Sequence, residues 1–97
     1  MGRFLLLWEA DETKIPLDPT MRRESWLLAC EMVKKDIERG LVKDWGVLLG
    51  QTKGFAIDEG TEEEVAKATL KYIPYFRFQI IPILTVDQHI EIIKNIK

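Results

Sequence analysis

The sequence predicts one α+β domain, a four-stranded antiparallel sheet with two main helices on one face in the order βαββαβ and a short C-terminal helix behind them. Three observations carry that expectation. Four short segments have the bulk and period-two patterning of strands, two longer segments repeat apolar residues at helical spacing behind recognisable caps, and 97 residues suffice for one core and not two.

The first strand is Arg3 to Ala10, with Phe4, Leu6 and Trp8 on one side and Leu5 and Leu7 on the other, so it is apolar on both faces. A polar connection, Asp11 to Leu17, leads to Asp18-Pro19, an N-cap residue followed by proline at the first helical position. From Pro19 to Arg39 the stripe Trp26, Ala29, Cys30, Val33 and Ile37 marks a helix that Gly40 stops, while Leu28 and Met32 fall off the stripe and predict a second apolar contact.

Val42 to Gly50 reads as the second strand, its glycines pointing to a bulge or a close neighbour. Gln51-Thr52-Lys53 then turns into a third strand, Gly54 to Glu59, with Asp58 and Glu59 read as turn and pre-cap residues beside Gly60. Thr61 to Glu64 is a capping box for a second helix that buries Val65, Ala68, Thr69, Tyr72 and Ile73 and ends at Pro74. Tyr75 to Leu84 is the fourth strand, and Pro82, which cannot donate to a ladder, places it at an edge there or ends it nearby. A second capping box, Thr85 to Gln88, opens a terminal helix whose Ile90, Ile93 and Ile96 form a docking stripe.

A sheet covered on one face normally turns polar residues to the other. Here the first strand, Val47 to Leu49 and Ile80 to Ile83 are apolar throughout, so the uncovered face is expected to meet a second copy about a two-fold axis. In element order, and most specifically in the run Leu70 to Leu84 (LKYIPYFRFQIIPIL), the chain resembles the ferredoxin-like dimeric α/β-barrel superfamily, and within it the muconolactone-isomerase-like and related small uncharacterised families. That resemblance implies a homodimer with a cleft between sheet and helices. The superfamily holds isomerases, cofactor-free monooxygenases, haem enzymes, stress proteins and ligand sensors, so it does not choose a chemistry.

Composition excludes more than it selects. Net charge is −2, with basic residues scattered among acidic ones, which argues against nucleic acid as a partner. No apolar run approaches the roughly 20 residues of a membrane span. The opening apolar stretch Phe4 to Trp8 is too short for a secretory signal, and the single Cys30 precludes an internal disulfide, both expectations that suit the cytoplasm. One His and one Cys far apart give no zinc spacing, and neither CxxC, phosphate loop, RNP motif nor nucleophile elbow is present, so no metal or cofactor is expected.

The acid–base inventory is correspondingly thin. Arg77, Glu9 and His89 are the catalytic candidates: His89 titrates near neutrality by default, and Arg77 with Gln79 and Glu9 would bind a carboxylate or polarise a carbonyl in the cleft. The competing readings are a solvated His89 and an Arg77 paired with an acid at a sheet edge. Trp8, Trp26 and Tyr72, with Arg77 and Gln79, are the ligand-binding candidates, and Tyr75 and Trp45 extend the aromatic set. The expected function is therefore a homodimer that binds a small apolar or aromatic metabolite, with a cofactor-free isomerase or monooxygenase as the alternative and a larger homo-oligomer through Leu28 and Met32 as a further one.

Overall fold

Side chains of β1 (Gly2–Ala10) alternate between a closed and an open side of the sheet, with Phe4, Leu6, Trp8 and Ala10 buried and the residues between them partly or fully exposed. The computed structural model describes residues 2–96, so Met1 and Lys97, the ends of the single domain expected over the chain, lie outside the described residues. A 3-10 turn at Glu12–Lys14 leads to α1 (Pro19–Glu38), followed by β2 (Val42–Val47), β3 (Lys53–Gly60), α2 (Glu62–Leu70), β4 (Phe76–Ile83) and α3 (Val86–Lys94). The strands form one antiparallel sheet in the order β2-β3-β1-β4. The architecture is α+β and compatible with a ferredoxin-like fold.

The caps act as their residues dictate. Asp18 accepts from the Met21 amide at 3.0 Å with Pro19 behind it, and both capping boxes close, the Glu64 and Gln88 side chains accepting in return from the Thr61 and Thr85 amides. Gly40 takes a positive φ of 86° where α1 ends. β4 is an edge strand, as Pro82 requires, and pairs with β1 alone.

Several boundaries differ from the sequence reading. β2 ends at Val47, not Gly50, because Leu48 to Thr52 form the hairpin turn: the Gln51 amide donates to the Leu48 carbonyl at 2.9 Å, and Gly50 has φ 73°. Leu49, expected on the strand, is fully exposed there. Gly46 meets the close neighbour its residue type implied, since a Cβ on it would lie 2.5 Å from the Phe55 ring, while the bulge falls earlier, between Val42 and Asp44. α2 ends at Leu70, and Ile73, expected to be buried, is exposed in the turn before the cis Ile73-Pro74 bond.

The core gathers Phe4 and Leu6 of β1, Ala56 of β3, Leu41, Val42, and Val65 and Ala68 of α2. α2 is therefore seated firmly on the sheet. α1 is not: Trp26, Ala29 and Val33 are only half-buried, Ile37 is exposed, and the one residue of α1 that is buried is Asp36. α3 departs furthest from expectation, since its docking stripe does not dock on its own domain and every residue of the helix is exposed. With α3 projecting, the chain spans 60 × 24 × 20 Å and its radius of gyration is 15.9 Å, against about 12.5 Å for a compact domain of this length. No helix among the described residues is long and apolar enough to cross a membrane.

Candidate functional site

Where α1 stands off the sheet, a half-open cleft of about 60 Å³ remains between the helices and the strands. Its floor is Leu6, Trp8, Trp45 and Ala56 on the sheet, its wall Trp26, Ala29, Cys30 and Val33 of α1, and its mouth Tyr72, Phe76 and Phe78. The aromatic rings are in mutual contact. Trp8 stacks on Trp45 with centroids 5.3 Å apart, and the Phe76 ring stands steeply to those of Trp8, Trp26 and Tyr72 in T-shaped contacts at 5.9, 5.8 and 5.9 Å.

Among the described residues three polar side chains are buried, Asp36, Asp58 and Thr69, and all three line this cleft. Two of them are satisfied. Asp36 accepts from Arg39 Nε at 2.8 Å and from Lys71 Nζ at 3.1 Å, and the Thr69 hydroxyl donates to the Ala66 carbonyl at 2.9 Å. Asp58 is the exception: its Oδ1 has no hydrogen-bond partner among the described residues although only 2% of the residue is exposed. The Tyr72 hydroxyl, in the same cleft, is also without a partner. Leaving a buried polar atom unpaired costs on the order of 1–3 kcal/mol, so two of them on residues that line one small cleft are a departure from ordinary core construction.

Burial pushes the Asp58 carboxyl up to about 6, with the nearby negative charge of Asp36 adding to the rise and Arg39 opposing it. Burial, followed by the charges of Asp36 and Asp58, likewise raises the Tyr72 phenol to about 12. At neutral pH the cleft thus presents a carboxylate in an apolar setting beside a protonated hydroxyl. Its polar equipment is acceptor-rich and suits a ligand that brings hydrogen-bond donors.

Of the residues the sequence nominated, Trp8, Trp26 and Tyr72 line the cleft together with Trp45. Arg77, Gln79 and Glu9 do not. Arg77 pairs with Glu9 across β1 and β4, and this register sets Leu5, Leu7, Glu9, Arg77, Gln79 and Ile81 on the helix-free face, opposite Leu6, Trp8 and Phe78. There Arg77 Nη2 donates to Glu9 Oε1 at 3.2 Å in an exposed ion pair, the edge pairing that competed with a catalytic role. His89 lies on the exposed α3 and Tyr75 in the turn before β4, both outside the cleft. Leu28 and Met32 line an adjoining surface groove of about 470 Å³ with Ile15 and Tyr75, and Trp26 and Phe76 stand between it and the cleft as lining of both.

The residue missed from the sequence is Asp58. Read as a turn residue, it sits inside β3 opposite Phe4, and the strand buries Gly54, Ala56, Asp58 and Gly60 in strict alternation. That period-two pattern was the available signal, because it puts Asp58 on the face of Ala56. Among the described residues no group of three or more His, Cys, Asp or Glu is placed to hold a metal ion. Comparison with known proteins assigns the chain to no family, for no family model matches it and no curated protein matches it significantly.

Proposed function

We propose that this protein is a homodimer that binds a small apolar or aromatic metabolite in the cleft between its sheet and its helices. The observation that carries the reading is the pairing of two unpartnered buried polar atoms, Asp58 Oδ1 and Tyr72 Oη, with an otherwise aromatic lining. Apolar walls supply affinity and a few convergent polar groups supply orientation, which is the usual division in a small-molecule site. The cavity is smaller than the roughly 150 Å³ that admits benzene in an otherwise packed core, so the bound part is a small head group and the half-open side accommodates the remainder.

Dimerisation is supported by the helix-free face and by area. Leu5, Leu7, Phe55, Ile57, Ile81 and Ile83 share that face, framed by the Arg77–Glu9 pair at one end and the Arg3–Glu59 pair, 3.1 Å, at the other. An apolar centre inside a charged rim is the anatomy of an interface. The chain exposes 7218 Å², whereas a compact 11.3 kDa monomer exposes about 5,700 Å². A second copy stacked on this face, with α3 laid along its twin, accounts for the excess and gives the two-sheet α/β barrel that the sequence resembles.

The test is a thermal-shift and tryptophan-fluorescence titration of the full chain with small phenols, lactones, quinones and aromatic amines. Binding reports through Trp8, Trp26 and Trp45. A ligand that stabilises the wild type and loses its effect in Tyr72→Phe and Asp58→Asn supports the reading, and the absence of any response across the set overturns it.

One observation favours a second reading, the cofactor-free isomerase or monooxygenase acting on a cyclic or aromatic metabolite. A carboxyl raised to about 6 inside an apolar cleft has the proton affinity of an effective general base at neutral pH. Turnover of a cleft ligand that disappears in Asp58→Asn while binding persists distinguishes catalysis from binding alone.

A further inference from the structure

We infer that the head group taken up by the cleft is a small organic cation, a primary or methylated ammonium, seated among the aromatic rings of Trp8, Trp26 and Trp45 that line it, with an N–H donated to Asp58 Oδ1. The inference rests on the cleft-binding reading and deepens it by naming the ligand class.

Charge selects among the possible head groups. An anion meets two carboxylates in the cleft, Asp36 and Asp58, and the cations nearest to it, Arg39 and Lys71, are already engaged by Asp36 at 2.8 and 3.1 Å. A neutral hydrocarbon fills the space and leaves Asp58 Oδ1 unpaired. A neutral hydroxyl pairs that oxygen and leaves the carboxylate charge uncompensated in an apolar site. An ammonium group satisfies the oxygen, compensates the charge, and gains from the aromatic faces, whose quadrupoles attract cations. The Tyr72 hydroxyl, unpartnered in the same cleft, accepts a second N–H.

The surroundings of Asp58 set the pH dependence. From α1 and its end it is faced by Asp36, Cys30 and Arg39, and from the segment after α2 by Tyr72 and Lys71, the lysine being held by Asp36. Asp58 is the carboxyl that burial raises to about 6, so its charge changes between pH 5 and 7.5. Cation affinity therefore falls about tenfold on going from pH 7.5 to pH 5, as the carboxylate fraction falls by that factor.

The experiment titrates the full chain with ethylammonium, ethanol and acetate, read by tryptophan fluorescence and by the indole N–H resonances, at pH 7.5 and pH 5. A three-heavy-atom probe binds at millimolar affinity at best, so the comparison is between probes. Ethylammonium is expected to bind at least about tenfold tighter than ethanol, to weaken about tenfold at pH 5, and to lose its advantage over ethanol in Asp58→Asn. Ethanol or acetate binding as well as ethylammonium, or an ethylammonium affinity that ignores pH, overturns the cation assignment. Should Asp58→Asn not fold, the wild-type pH comparison decides alone. If the neutral phenols and lactones bind and ethylammonium does not, the cation assignment falls and the cleft-binding reading stands; if nothing binds, both fall.

Discussion

Trp8 of β1 and Trp45 of β2 stack within 10° of parallel although β3 runs between their strands. Two strand spacings separate the backbones by about 10 Å, and only large rings leaning toward each other across an empty position can meet over that gap. Gly54 of β3, opposite both Trp8 and Val47, provides the empty position. A Cβ there would lie 2.8 Å from the Trp8 ring and closer still to the Gly46 carbonyl oxygen. Gly54→Ala is expected to destabilise the domain by roughly 1–3 kcal/mol in urea unfolding and to alter the near-ultraviolet circular dichroism of the stacked pair. Unchanged stability would mean that the floor of the cleft is not assembled through this glycine.

Asp58 makes a prediction about stability that is independent of any ligand. Its folded-state proton affinity is raised, from an ordinary 3.8 to about 6. The sign follows directly: below pH 4 the carboxyl is protonated in both states and costs nothing extra, and as pH rises through 6 the folded state alone resists ionisation, so stability is lost. Two units correspond to roughly 3 kcal/mol. Asp58→Asn should accordingly be more stable than the wild type by about 2–3 kcal/mol at pH 8, with the difference vanishing near pH 4. Taking the difference between the two proteins at each pH cancels every other titrating group. A constant difference across that range would show that Asp58 is not the buried acid it is taken for.

The elements were legible in the sequence wherever a local device fixed them. Asp18-Pro19, the two capping boxes and Pro82 each specify their backbone by hydrogen-bonding chemistry within four residues, and each is realised. Helical periodicity identifies α1 and its inward stripe but not how closely that stripe approaches the sheet, because the gap is set by Trp26 and Tyr72 meeting Phe76, and Trp26 lies 50 positions before it in sequence. For Arg77 the sequence left open a role in the cleft and an ion pair with an acid at a sheet edge, and alternation against Phe78 and Trp8 sets Arg77 and Glu9 opposite the cleft, where they pair with each other. Asp58 was hidden by its neighbours, since an Asp-Glu-Gly triplet has the composition of a turn and only the long-range pairing with Phe4 keeps it in the strand.

The buried Asp36 is held from two sides, by Arg39 one turn along its own helix and by Lys71 from the end of α2. Both bonds end on a carboxylate that is 4% exposed, so each donor compensates for the loss of the other. Lys71→Met and Arg39→Met are each expected to cost about 1–2 kcal/mol, and the double variant more than their sum, because only the double leaves a buried carboxylate with no donor. A double-mutant cycle in urea measures this coupling. Strict additivity would indicate that solvent reaches Asp36 when either partner is removed.

The interface prediction turns on Leu5, which sits at the middle of the helix-free face between Ile57 of β3 and Ile81 of β4. In a two-fold dimer one substitution is made twice, once on each side of the contact. Leu5→Lys therefore removes two apolar side chains from the interface centre and buries two ammonium groups there, at a cost of at least about 1.5 kcal/mol each. That weakens association by two orders of magnitude or more. The lysine reaches water in an isolated protomer, so the fold is expected to survive, with helical circular dichroism retained. Sedimentation velocity at micromolar concentration should give a dimer for the wild type and a monomer for Leu5→Lys, while Lys67→Ala, on the exposed side of α2, leaves the dimer intact. A wild type that sediments as a folded monomer removes the reason for a partner on this face, and the exposed leucines and isoleucines then belong to a contact with something other than a second copy.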